Sequence, residues 1–157
     1  MKHYLSYWTV DQVQEALERG ELPHAASAQY GRLTTGNRVW ICGRAHDTPE
    51  LFVIGYIDVW HRVDEETAQR LLDDQYDDYL PWEADWHILP RASEVCATQA
   101  VSLVPIYTRL KFDSSANSRL KLINGHPNAQ QLQTMRKLTP DGAAVLQGHW
   151  AKSTGSG

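Results

Sequence analysis

Trp60, Tyr76, Tyr79, Trp82 and Trp86 crowd one short stretch of this chain. Aromatic rings break no bonds. When several converge on a pocket, they stack a planar base swung out of a nucleic-acid strand and enclose a methyl group on it. Tyr and Trp also keep a polar atom for the edge of such a ligand. Context divides the rings. Trp40, in "RVWIC", and Trp86, in "DWHIL", lie in apolar runs and read as core. Trp60 and Trp82 flank an acidic, helix-like segment in loop-like surroundings, and with Tyr79 they read as walls of a ligand pocket. Trp8, at a strand–helix junction, suits either role.

Chemistry of other kinds is scarce. The chain has no G-x-S-x-G nucleophile elbow and no glycine-rich phosphate loop. "CGRAH" pairs Cys42 with His46, but one such pair makes no zinc site, and the other histidines are scattered. "DDQYDD" lacks the glycine turn of a calcium loop and reads as a solvated face. Binding, not catalysis, is the expectation, with no cofactor and no metal.

Charge narrows the partner. A net charge of −4 argues against a generic, charge-driven nucleic-acid binder. The distribution is uneven, however. Residues 64–85 are acid-rich with a single arginine, whereas Arg109 to Lys137 carry six bases and one acid. Such a contrast is either two solvated faces or a basic third turned toward a phosphate backbone.

These residues need a scaffold. At 157 residues the chain is long enough to bury a core without disulfides. Residues 1–150 read as one domain and "AKSTGSG", 151–157, as a flexible tail. Neither a membrane span nor a signal-peptide core is evident, and Cys42 and Cys96 need not pair, so a cytoplasmic setting is expected. "KHYLSYW" alternates as a first strand, and "TVDQVQEALERG" is a helix from N-cap Thr9 to C-cap Gly20. "RVWIC" and "LFVIGYIDV" form a hairpin, and "DEETAQRLLDD" is a second helix. "DWHILP", "AVSLV", "TRLKFD" and "RLKLI" read as strands, the last two on either side of the polar turn "SSANS". "TPDGAAVLQGHW" closes the domain as a helix with Thr139 at its N-cap and Pro140 first inside. The sum is α+β: about six short strands, in a small curved sheet or barrel flanked by helices.

This order of segments resembles the EVE domain. Its pattern is a first strand with an aromatic, a helix ending at a glycine as in "VDQVQEALERG", then "LTTGNRVWI" and "LFVIGYIDV". The related YTH domains are similar too: "LPHAASAQYG" falls at their cage loop and "YDDYLPWEADWHIL" at their tryptophan-rich segment. The run from "RLKFD" to "GAAVLQ" is similar to the family's closing section, so the resemblance spans about residues 3–147. It implies a PUA-like β-barrel and a reader of modified bases in DNA or RNA, often beside a restriction nuclease. It also implies site residues. Ser6, Tyr7 and Trp8 would line the pocket, with His24, Ser27 and Tyr30 near the cage loop. No tryptophan lies between Trp8 and Trp40, so His24 or Tyr30 would replace the cage ring. Trp60, Tyr79 and Trp82 would complete the walls, and Lys111, Arg119 and Arg136 would meet phosphates; Gln130, Gln131 and Gln133 would hydrogen-bond the strand, or else are plain helix-surface glutamines.

A second reading keeps the scaffold and changes the ligand. The pocket then takes a free nucleoside or another small molecule, or the chain is a protein-interaction module. Net negative charge favours this reading, and the basic C-terminal third favours nucleic acid. Any cleavage would belong to a nuclease in another domain or a partner.

Overall fold

A computed structural model describes residues 1–77, 79 and 81–155. Asp78 and Leu80 of the tryptophan-rich segment, and Ser156 and Gly157 of the tail, lie outside the described residues. Three helices form where caps and apolar stripes place them. α1 (Val10–Arg19) opens on a complete capping box: the Thr9 side chain accepts from the Gln12 amide, and the Gln12 side chain accepts from the Thr9 amide. Gly20, at φ 87°, ends it. α2 (Glu65–Gln75) is capped by Asp64. α3 (Pro140–Thr154) starts on Thr139 and runs through the residues expected to be a tail. Trp150, buried against Trp40, anchors those last turns.

The strands are β1 (His3–Tyr7), β2 (Glu21–Leu22), β3 (Ala25–Ala26), β4 (Arg38–Arg44), β5 (Leu51–Asp58) and β6 (His61–Val63). They continue as β7 (His87–Leu89), β8 (Cys96–Ala97), β9 (Val101–Ser102), β10 (Leu122–Ile123), β11 (His126–Pro127) and β12 (Arg136–Lys137). The expectation of a closed barrel is corrected here. Among the described residues the main sheet is open, in the order β12-β1-β4-β5-β9, and the remaining strands form three smaller sheets. Both edge strands are only two residues long, too short to carry a closing ladder.

Packing on both faces buries the open sheet. Leu5, Trp40, Cys42, Leu51 and Val53 pack on one side with Phe112, Leu146 and Trp150. Tyr4, Val39, Ile41, Ile54 and Ile57 pack on the other with Trp8, Val13 and Tyr30. The change of face along β5 comes from a bulge, where the register shifts between Ile41 and Cys42. Gly55 sits there at φ 153°, and a Cβ would come within 2.8 Å of Leu22 Cδ1.

A second correction concerns the basic third. "TRLKFD" and "RLKLI" do not pair across "SSANS". Phe112 makes only an isolated bridge to Leu138, and β10 pairs with β11 across Asn124–Gly125. "AVSLV" is strand only at Val101–Ser102 before a 3-10 helix, Val104–Arg109. Among the described residues no helix is long and apolar enough to cross a membrane.

Candidate functional site

Where β1 ends, the chain must turn into α1, and the turn is held from below. The Trp8 amide donates to the Cys42 carbonyl at 2.8 Å, over Gly43, where a Cβ would meet the Trp8 carbonyl at 2.9 Å. This fixes Ser6, Tyr7 and Trp8 in front of a second segment. Ser27 caps the 3-10 helix Ala28–Arg32 by accepting from the Gln29 amide, and that helix buries Tyr30. Between the two lies a cavity of about 160 Å³, lined by Ser6, Tyr7, Trp8, Gln12, Ala26, Ser27, Gln29, Tyr30, Gln133 and Met135. Ser6, Tyr7, Trp8, Ser27 and Tyr30, expected to line the pocket, converge here, and Gln133, expected to contact the strand outside it, joins them.

A small buried network sits at the floor. Trp8 Nε1 donates to the Tyr30 hydroxyl at 3.4 Å, and that hydroxyl lies 2.9 Å from Ser6 Oγ. Burial raises the Tyr30 pKa, with the Ser6 and Trp8 bonds pulling the other way, so the phenol stays neutral. When Tyr30 donates to Ser6, the Ser6 proton is left for a ligand.

A further wall is imported from far along the chain. Gln29 Nε2 donates to the Gln133 carbonyl at 2.8 Å, and Gln29 Oε1 accepts from the Met135 amide. Arg32 donates to the Met135 carbonyl. Gln12, Gln29 and Met135 escaped the sequence reading. Only the capping spacing of Thr9 and Gln12 signalled one of them, and it signalled a helix start, not a pocket.

Tyr79, Trp82 and His24 are brought together beside this cavity, not inside it. With Trp8 they line a void of about 30 Å³. Trp82 meets Trp8 edge-on at 5.3 Å and His24 at 5.0 Å, and its Nε1 donates to the Ala26 carbonyl at 2.8 Å. Trp82 therefore buttresses the pocket wall from behind. His24 leads into a buried chain of hydrogen bonds. A carbonyl only accepts, so His87 Nε2 donates to Ala84 O at 3.1 Å. His87 Nδ1 then accepts from His24 Nε2 at 2.6 Å, and His24 Nδ1 accepts from the Tyr79 hydroxyl at 3.4 Å. Burial, then the neighbouring His87, brings the His24 pKa down to about 3, while burial pushes Tyr79 up to about 12. Among the described groups of this chain, His87 was not anticipated.

Trp60 corrects the ring assignment. It lines neither cavity; its ring lies under the Arg91 guanidinium at 3.3 Å, and its amide donates to the Leu89 carbonyl. The β6–β7 pairing carries it away from the pocket. The basic residues also part company. Arg136, its guanidinium 4.0 Å over Phe112, lines a separate polar groove of about 390 Å³ with Ser114, Asn117, Lys121, Gln130, Gln131 and Thr134. Lys111 and Arg119 line neither the groove nor the pocket. Lys111 gives its carbonyl to Thr139, and Arg119 donates to the Thr108 carbonyl at 2.9 Å. Groove and pocket share one wall: along residues 133–136, Gln133 and Met135 face the pocket while Thr134 and Arg136 face the groove.

The fold and site thus define an α+β chain with a small polar pocket beside a basic groove. No family model matches the chain, and no curated protein matches it. Among solved structures it is similar to a hypothetical protein from Leishmania major, at a TM-score of 0.47 and 12% identity, over 98% of this chain and 97% of that one.

Proposed function

We propose that this chain reads a modified base in nucleic acid, foremost DNA carrying a methylated or otherwise modified base, by holding the flipped base in the Ser6–Tyr30–Gln133 pocket. The convergence of those residues on one cavity carries the reading. At about 160 Å³ the cavity is smaller than the about 300–1,000 Å³ of drug-sized sites, which suits one planar fragment whose remainder stays outside. Hydroxyl and amide groups, which make up most of the surface the cavity presents, supply edge contacts to the base, with Tyr7, Trp8 and Tyr30 standing among them. The shared 133–136 wall then lets the flanking backbone cross into the groove, toward Arg136 and Lys121. Among the described residues no Asp or Glu lines either site, so the acidic helix α2 does not oppose a phosphate there. The segment order similar to EVE and YTH domains supports the same function. Two free cysteines suit a reducing, cytoplasmic setting. Cleavage is left to a nuclease partner or a further domain.

The test is binding to short duplex and single-stranded DNA and RNA, each unmodified, methylated or hydroxymethylated, at two salt concentrations. One modified oligonucleotide is expected to win. Gln133→Ala, at an exposed side chain, is expected to weaken that binding roughly three- to tenfold with the melting temperature unchanged. Lys121→Gln is expected to weaken all sequences alike and reduce the salt slope by about one. Equal, weak binding to every oligonucleotide, together with tight binding of a free nucleoside, would reassign the pocket to a small molecule.

A further inference from the structure

Two adjacent aliphatic side chains stand in water at one tip of the molecule. Ile123 is 62% exposed and Leu122 37%, and the two are neighbours at the end of the β10–β11 hairpin. The turn is narrow: Asn124 at φ 54° and Gly125 at φ 84° give the left-handed pair that a two-residue hairpin turn demands. The hairpin is braced on both strands. Gln131 accepts from the Lys121 amide and donates to the Lys121 carbonyl, both at 2.7 Å. On the returning strand, Arg44 donates to the Pro127 carbonyl at 2.6 Å, and His126 Nδ1 lies 3.2 Å from the Tyr107 hydroxyl. A tip held this firmly at its base, with its aliphatic residues uncovered, is built to present them.

Its position tells to what. Gln131, which grips the root of the hairpin, precedes by two residues the Gln133 that enters the pocket. Lys121, at that root, and Arg136 line the groove between them, so the ground around the tip is basic. We infer that the Leu122–Pro127 hairpin is a wedge, whose Ile123 and Leu122 enter the base stack of duplex DNA at the place from which the pocket has drawn a base. This rests on the base-reading proposal and names its substrate as a duplex. Drawing a base out leaves its neighbours and its orphaned partner unstacked, and Leu and Ile are among the apolar side chains that proteins wedge between base steps. A single strand offers no gap to fill. Sequence-selective RNA recognition works mostly on such unpaired strands, so an apolar wedge points to DNA.

Wild type and Ile123→Ala are compared on the preferred modified oligonucleotide, as a duplex and as a single strand. 2-Aminopurine beside the modified base reports unstacking. Ile123→Ala is expected to bind the duplex about tenfold more weakly, to bind the single strand within about twofold of wild type, and to melt as wild type does. The 2-aminopurine signal of the duplex complex is expected to fall with it. Equal duplex affinity in the two proteins, or an equal loss on duplex and single strand, overturns the wedge. So does a wild-type dimer that Ile123→Ala makes monomeric with duplex preference unchanged, since the patch then joins two copies of the chain. If wild type binds neither form of any modified oligonucleotide, base reading itself has failed and the wedge falls with it.

Discussion

Moving from pH 7.5 to pH 4.5 is expected to remove roughly 3 kcal/mol of stability through His24 alone. The sign follows from the buried histidine chain. In the unfolded chain His24 titrates at its ordinary 6.5, whereas in the fold it is held at about 3. Above pH 6.5 both states carry it neutral and its contribution is complete. As pH falls toward 3, only the unfolded state takes the proton, and each unit shifts the balance by about 1.4 kcal/mol. Its geometry explains the resistance: His24 Nε2 already donates to His87, and Nδ1 is the acceptor that Tyr79 uses. Protonating that acceptor would place a charge in a buried site, beside a second histidine and with no acid among the described hydrogen-bond partners of His24.

His87 adds a change of the same sign. Burial lowers its pKa, although the Ala84 carbonyl, Glu65 and Asp64 pull upward. The measurement is urea denaturation at pH 7.5 and pH 4.5 for wild type and His24→Gln. The variant is expected to start less stable at pH 7.5 and to lose about 3 kcal/mol less on acidification. An unchanged loss in His24→Gln would place the acid sensitivity elsewhere. The consequence reaches the pocket, because Trp82 links His24 to the Ala26 carbonyl that forms its wall. Ligand binding is therefore expected to decline along with the wall as the pH falls.

The histidine chain also shows what the sequence could not convey. His24, in "LPHAA", reads as a loop residue at the pocket and His87, in "DWHIL", was expected to have no role, yet both are buried. Nothing in either run says that they touch, since the contact spans 63 residues and depends on β3 pairing with β7. Gln29 makes the same point from a position 104 residues from Gln133: an ordinary surface glutamine in "SAQYG" turns out to clamp the far wall of the pocket. Local signals fared better. The Thr9 capping box, the Gly20 stop and the β4–β5 hairpin formed as spacing and propensity require. The lost hairpin across "SSANS" is instructive because Asn124–Gly125, the stronger turn signal, lay a few residues on and won. Trp60 and Trp82 have similar local contexts, and only strand pairing separates a ring under Arg91 from one behind the pocket.

Gly142→Ala and Gly148→Ala are expected to move stability in opposite directions, although both lie in α3 and both raise helix propensity. A Cβ at Gly142 would stand 2.3 Å from the Lys111 carbonyl oxygen and 2.9 Å from its amide nitrogen. That backbone has little freedom to retreat, because the same carbonyl accepts from the Thr139 amide at 2.9 Å and from its hydroxyl at 3.2 Å. Forcing the helix off Lys111 is expected to destabilise by about 3 kcal/mol, a melting-temperature drop of about 6–12 °C in a chain of this size. Gly148 faces open space with nothing within 4 Å, so its substitution should gain about 0.5–1 kcal/mol from reduced unfolded-state freedom. Two thermal melts decide the matter. Stabilisation by both substitutions would mean that propensity alone governs α3, and that its first turn does not bear on the Lys111 backbone. A loss at Gly142 beside a gain at Gly148 isolates the packing contact that joins the last helix to the segment before the basic groove. Phe112 and Asp113, next to Lys111, pair with Leu138 and Lys137 beside Arg136, so weaker oligonucleotide binding is expected from the first variant and none of that loss from the second.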